Sequence, residues 1–279
     1  MLLLKTELYE NSIKNNSNNN NNNASCEIIK QLNNFTCNES GYRSSFEVDE
    51  IKINQENIKE NNTDNNKHNT TNNNNNNHTT NNNIFSKVSE QNSCFLIGGD
   101  HSITYSGVKG FMKNNPSAGL IVFDANPNCK INSDIFSSKN YLKRLVEDSI
   151  IDPLRIILFG LRNYSQEELL FLKQNNIQYF NMKKIFELGI NEIMDVITET
   201  MKSWGKFYLS LNINIVDPTF APGVIDSEPG GLTSRELIYC IQRIKLLKCE
   251  FGELIGINIT KDINKITISL SAKLLSELF

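Results

Sequence analysis

Three short stretches of this chain run from apolar residues straight into clustered polar ones. FLIGGDHSITYS carries Asp100, His101 and Ser102; GLIVFDANPN ends in Asp124, Asn126 and Asn128; KFYLSLNINIVDP carries Asn212 and Asn214. Each reads as a buried strand that ends in residues able to do chemistry, and ligands of open α/β sheets sit beyond the carboxyl ends of their strands. In the third stretch, alternation along an extended strand through Val216 puts Asn212 and Asn214 on one face. Carboxylates and imidazoles gathered there would hold a divalent cation. An amide offers such a cation a carbonyl oxygen without charge, and it does not replace an imidazole. Of the three histidines in the chain, His68 and His78 lie in an asparagine tract, which leaves His101 for a folded site.

The order Gly-Gly-Asp-His-Ser, Asp-Ala, Asp-Pro-x-x-Ala-Pro-Gly and Glu-Pro-Gly-Gly-Leu-Thr resembles the ureohydrolase family of arginases, agmatinases and formimidoylglutamases over the last two thirds of the sequence. The resemblance implies a site for two manganese ions at His101, Asp124, Asn126, Asn128, Asn212 and Asn214. Four of those six positions are asparagine here, so a ligand set that balances two divalent ions keeps one carboxylate, Asp124. The resemblance also places Lys261 at a glutamate that receives the substrate guanidinium, where a lysine would repel it. A Ser-His dipeptide associated with proton transfer in the family is best matched by Ser137-Ser138. On this reading no metal cofactor is expected, although the family uses manganese, and no catalytic residue is expected either.

The elements that position these residues are legible from pattern. Strands are expected at Cys94 to Ile97, Gly119 to Asp124, RIILFG, IQYFN, the stretch before Asp217-Pro218 and ELIGINI. Helices are expected over IFSKVSEQ, ITYSGVKGFMK, SKNYLKRLVED, SQEELLFLKQNN, INEIMDVITETMKSW, the segment opened by TSRE, and ISLSAKLLSELF. Ser165 with Glu168 and Thr233 with Glu236 have the spacing of capping boxes. Strand and helix alternate, which predicts a three-layer α/β/α fold with a mostly parallel, arginase-like central sheet. Residues 84–279 form that domain on this reading. Residues 1–83 read as asparagine-rich, low in complexity and mostly disordered, with a possible strand near 46–58, so the amino-terminal part of the fold is expected to be eroded. MLLLK reads as a first strand or a frayed end.

Composition narrows the remaining choices. A net charge of -3 gives no basic footprint for nucleic acid, and no apolar run is long enough for a membrane span. Six cysteines without Cys-x-x-Cys spacing read as free thiols of a cytoplasmic protein. The fold-forming glycines and prolines of the motifs remain, while the departures fall on chemical positions. This contrast points to a catalytically inactive homologue with a structural or regulatory role, assembled with itself or with an active ureohydrolase paralogue. Two alternatives stand beside it. One is an agmatinase- or arginase-like hydrolase working through one ion on His101 and Asp124. The other is a small-molecule sensor, for which Lys261 favours an anionic ligand.

Overall fold

The computed structural model describes residues 1–6, 23–43, 45–51, 71–130 and 136–279, with only the backbone for 71–80. Eight strands form one parallel sheet: β1 (Leu2–Lys5), β2 (Glu47–Glu50), β3 (Cys94–Ile97), β4 (Gly119–Phe123), β5 (Ile156–Leu161), β6 (Gln178–Asn181), β7 (Phe207–Asn212) and β8 (Phe251–Ile255). Their order across the sheet is β2-β1-β3-β8-β7-β4-β5-β6, and every pairing is parallel. Parallel strands need covered faces, and the alternation of side chains shows how both are covered. Leu3, Phe95, Ile97, Ile121, Phe123, Leu209 and Leu211 face one layer, formed by α1 (Ala24–Leu32), α6 (Met182–Leu188), α7 (Ile190–Trp204), α8 (Ser234–Lys245) and α9 (Ile266–Leu278). Leu4, Leu96, Leu120, Val122 and Leu158 face the other, formed by α2 (Thr71–Glu90), α3 (Thr104–Asn114), α4 (Tyr141–Glu147) and α5 (Gln166–Gln174).

Both expected capping boxes form. The Ser165 side chain accepts from Glu168 N and the Thr233 side chain from Glu236 N, with each glutamate reaching back to the cap's own N–H. Such reciprocal pairs satisfy two orphan donors at a helix start, so α5 and α8 begin at residues fixed by sequence. The inward residues expected of α3 and α8 are buried: Ile103, Val108, Phe111 and Met112 in the first case, Leu237, Ile238, Ile241 and Ile244 in the second.

Two expectations are corrected. The amino-terminal segment, read above as eroded and mostly disordered, supplies two strands and a helix. β1 lies between β2 and β3, and Ala24, Ile28 and Leu32 of α1 are buried. Residue 84 is therefore not a boundary of the fold. Within the asparagine tracts, Asn23 caps α1 by accepting from Ser25 N, and residues 71–83 belong to α2; Asn15–Asn22 and 61–70 lie outside the described residues. The possible strand near 46–58 is realised as β2, with 52–58 also outside them. The second correction concerns the third motif. β7 ends at Asn212, well before Asp217-Pro218, because Ile213–Ile215 turns into one round of 3-10 helix that the Asn212 side chain caps by accepting from Asn214 N. Asn214 reaches the site through that turn and not through strand alternation.

The crossover from β3 to β4 leaves a gap in which β8 and β7 lie, so the direction of strand order switches there. The carboxyl ends of β3, β8, β7 and β4 are consequently neighbours. This is where an open α/β sheet presents a crevice. Among the described residues no helix is long and apolar enough to cross a membrane.

Candidate functional site

Five of the six residues singled out at the strand ends are drawn together around the sixth. His101 follows β3, Asp124 follows β4, Asn126 and Asn128 lie in the loop beyond, Asn212 closes β7, and Asn214 sits in the turn after it. Gly98 and Gly99 allow the first of these placements. Both have positive φ (103° and 81°), and a Cβ on Gly98 would lie 2.6 Å from Thr6 O. Only a residue without a side chain lets the loop fold back over β1 there.

Asp124 is the hub, with no exposed surface. Its Oδ2 meets His101 Nε2 at 2.5 Å and accepts from Asn212 Nδ2 at 3.0 Å and Asn128 Nδ2 at 2.9 Å. Its Oδ1 accepts from Asn126 N at 2.9 Å. The orientation of each amide is set by a backbone partner. Asn212 Oδ1 accepts from Asn214 N, which turns the NH2 of Asn212 to Asp124. Asn214 Oδ1 accepts from Ala125 N, so its NH2 donates to Asn126 Oδ1. Asn126 donates its own NH2 to Asn163 O, and Asn128 donates to both Asp124 and Asn126 O. Amino groups thus face the carboxylate, and an amide nitrogen has no lone pair to give a cation.

His101 is stacked against Tyr141, ring centroids 4.4 Å apart and planes within 14°. Its Nδ1 lies 2.9 Å from Thr104 Oγ1, whose own proton goes to Glu253 Oε1 at 2.5 Å. Both imidazole nitrogens face acceptors, the arrangement that suits an imidazolium, and Nε2 also lies 3.2 Å from the Asn212 NH2. Burial by itself opposes that charge. The hydrogen bond to Asp124, with the charges of Asp124, Glu253 and Asp100, outweighs it and raises His101 above its ordinary value. Glu253 also accepts from Ser210 Oγ and Tyr208 OH. Burial raises its carboxyl pKa, against the lowering effects of His101 and those three hydroxyls.

Thr104, Ser210, Tyr208 and Glu253 were not among the sequence candidates. The available signal was Glu253, a charged residue within the otherwise apolar strand FGELI, where a parallel sheet buries both faces. Tyr208, Ser210 and Asn212 then share a face by period two. Arg162 was missed as well. Its guanidinium donates to Asn214 O at 2.6 Å, Glu228 O at 2.7 Å and Pro229 O at 3.0 Å, joining the turn after β7 to the loop before α8.

Other singled-out residues lie apart from this hub. Lys261 is exposed, donates to Ile225 O at 2.7 Å, and makes no hydrogen bond to the six residues described above. The position beyond β8 that faces the site is Gly256, where a Cβ would lie 2.0 Å from Asn212 Oδ1. Ser138 sits in the turn before α4, and that helix reaches the site through Tyr141. Asp100 and Asp217 accept from turn amides of Ser102 and Thr219, as expected of carboxylates in such loops.

Among the described residues, no three His, Cys, Asp or Glu side chains gather where they could hold an ion. The two groups with ligand chemistry, His101 Nε2 and Asp124 Oδ2, are bonded to each other.

Residues 13–279 match the model of the arginase family. Mitochondrial arginase-2 of Bos taurus is 32% identical over 179 residues, 56% of this chain and 50% of the relative. Arginase of Staphylococcus aureus strain MRSA252 is 30% identical over 200 residues, 66% of each. Guanidinopropionase of Pseudomonas aeruginosa is 26% identical over 65% of this chain and 58% of its own. The matches thus span half to two thirds of these relatives' length. In fold, the chain is similar to formimidoylglutamase from Bacillus subtilis, with a TM-score of 0.81, 21% identity and 99% and 84% coverage of the two chains. It is also similar to arginase from Bacillus caldovelox, with a TM-score of 0.79, 20% identity, and 100% and 97% coverage.

Proposed function

The chain belongs to the arginase family, and from that premise we propose that it is a member that no longer hydrolyses guanidino compounds and serves a structural or regulatory role. One observation carries the reading: Asp124 Oδ2 is ringed by His101 Nε2 and the NH2 groups of Asn128 and Asn212. Hydrolysis of a guanidinium by the family's chemistry needs a metal-activated water, which in turn needs anionic donors to hold the ion. The residues present do not fit a pair of manganese ions. They supply one carboxylate, whose charge is already met by an imidazole, and amides turned with their protons inward.

The same arrangement supports a substitute for the ions as cross-ties. His101 and Asp124 join the ends of β3 and β4, and Asn212 adds β7, so the ends of three strands, with β8 lying between β3 and β7, are linked through one carboxylate. The scaffold then has reason to persist without turnover. Assembly with a second copy or an active relative is part of this reading.

The test is turnover. Protein purified and incubated with manganese is expected to release no urea from arginine, agmatine or 3-guanidinopropionate above a boiled control. Sustained, manganese-dependent release from any of them contradicts the proposal. Co-purification of an active family member from the native source is the outcome expected of a regulatory partner.

A further inference from the structure

The carboxyl end of β1 and the first turn of α1 bring an amine and a thiol together. Lys5, the last residue of β1, donates from Nζ to Cys26 Sγ at 3.7 Å, across 21 residues of sequence. The same ammonium lies 3.6 Å from Glu50 Oε2 at the end of β2, so it is held between that carboxylate and the thiol. Neither partner is sealed in. The Lys5 side chain keeps 20% of its surface exposed, and Cys26 is half-buried. Thr6, next along, donates its hydroxyl to Gly98 O at 3.2 Å and joins this corner to the loop that carries His101.

The other thiols are placed differently. Cys94, Cys129, Cys240 and Cys249 are buried, and burial raises the pKa of each, that of Cys94 to about 12. A buried thiol kept protonated is inert, since the thiolate is the nucleophile. Cys37 is exposed and accepts from Thr36 Oγ1 at 4.0 Å. Among the described residues, Cys26 is the thiol in hydrogen-bond contact with a lysine amine.

We propose that Cys26 and Lys5 form a redox-sensitive pair that hydrogen peroxide joins through a covalent S–N bond. The Cys26 thiolate attacks one peroxide oxygen and the O–O bond breaks, giving a sulfenic acid and hydroxide. Lys5, as the free amine, then attacks Sγ; the S–O bond breaks, and the departing hydroxide leaves as water with a proton from Nζ. One thiol, one amine and one peroxide thus become one sulfenamide and two waters, the sulfur losing two electrons and the peroxide gaining them. Sulfenic acids condense in this way with a nearby nitrogen or thiol, and Nζ is the nitrogen already facing Sγ. The bond ties β1 to α1, and a thiol reductant reopens it. The inference does not depend on whether the strand-end site turns over substrate.

The test uses the full chain carrying Cys37→Ser, which removes the exposed thiol and with it a disulfide to Cys26 within the chain. After treatment with hydrogen peroxide at pH about 9, tryptic fragments are read by tandem mass spectrometry. The expected product joins the fragments that contain Lys5 and Cys26, is about 2 Da lighter than their sum, and is separated by dithiothreitol. Lys5→Arg keeps the charge and removes the amine. The joined product is expected to disappear in that variant, and dimedone, which captures sulfenic acid, is expected to label Cys26 about tenfold more than in the parent. The joined fragments of the parent decide the matter even if Lys5→Arg fails to fold. The proposal is overturned by any of three results: no joined fragments, Cys26 joined to Lys30 or to Cys26 of a second chain in place of Lys5, or equal dimedone labelling of the parent and folded Lys5→Arg.

Discussion

The two ends of the sheet treat their polar groups in opposite ways. At the carboxyl end, Asp124 and the residues around it have spent their hydrogen-bonding capacity on one another: the carboxylate has four donors, and each amide is fixed by a backbone partner. At the amino end, Asn38 Nδ2 is buried without a partner and Arg43 is exposed with no carboxylate partner among the described residues. A closed network stabilises and leaves little for a ligand. The position that a family relationship marks as the site need not be the position with chemistry to spare.

The comparison breaks most readily at its hub. Replacing Asp124 with Ala strands the buried His101 and two amide donors, and an expected loss of about 3–5 kcal/mol of unfolding free energy follows, read from urea denaturation. A loss under about 1 kcal/mol means that the network is not the cross-tie described here. Gly256→Ala comes next. Its φ of 85° disfavours a side chain and the new Cβ would collide with Asn212 Oδ1, so about 1–3 kcal/mol is expected, with the thermal midpoint falling accordingly. Thr104→Val removes the link between His101 and Glu253, leaving two buried groups each short of a partner; about 1–3 kcal/mol is again expected.

A pH profile sharpens the same point. The folded pKa values of Glu253 and His101 both lie above their ordinary values of 4.5 and 6.5. A group with a raised folded pKa binds more protons in the native state, so stability falls as pH rises from the unfolded pKa through the folded one. The chain is thus expected to lose stability as pH rises above about 4.5 for the Glu253 share and above about 6.5 for that of His101. Glu253→Gln should flatten the lower window and narrow the upper one, because the Glu253 charge is one of those that hold His101 up. A profile that climbs over both windows contradicts the assignment. The smallest effect is expected at Arg235→Ala: its bond to Glu39 is exposed to solvent, and the denaturation midpoint should hardly move.

Much of this molecule could be read from its residues, for identifiable reasons. Capping boxes and apolar periodicity located α5 and α8 because those signals are local. The convergence of His101, Asp124, Asn212 and Asn214 was legible because strand ends in a parallel sheet point to one edge. What escaped depends on contacts between elements. α1 is short, and its Ala24, Ile28 and Leu32 spacing was hidden between asparagine tracts. Glu253 found its role through hydroxyls on two other elements, and the early end of β7 followed from a side-chain cap on a 3-10 turn that alternation does not foresee. Lys261, placed by the resemblance alone, is exposed and bonds to Ile225 O, and the residue just beyond β8 that lies beside Asn212 is Gly256.

Manganese stoichiometry decides whether the strand-end residues hold a pair of ions. Metal-stripped protein is dialysed against manganese at neutral pH, and bound metal per chain is measured by plasma mass spectrometry beside an active arginase treated in the same way. No retained manganese and a thermal midpoint unmoved by chelator are expected. Two ions retained per chain, with a midpoint that falls when they are removed, would contradict that expectation.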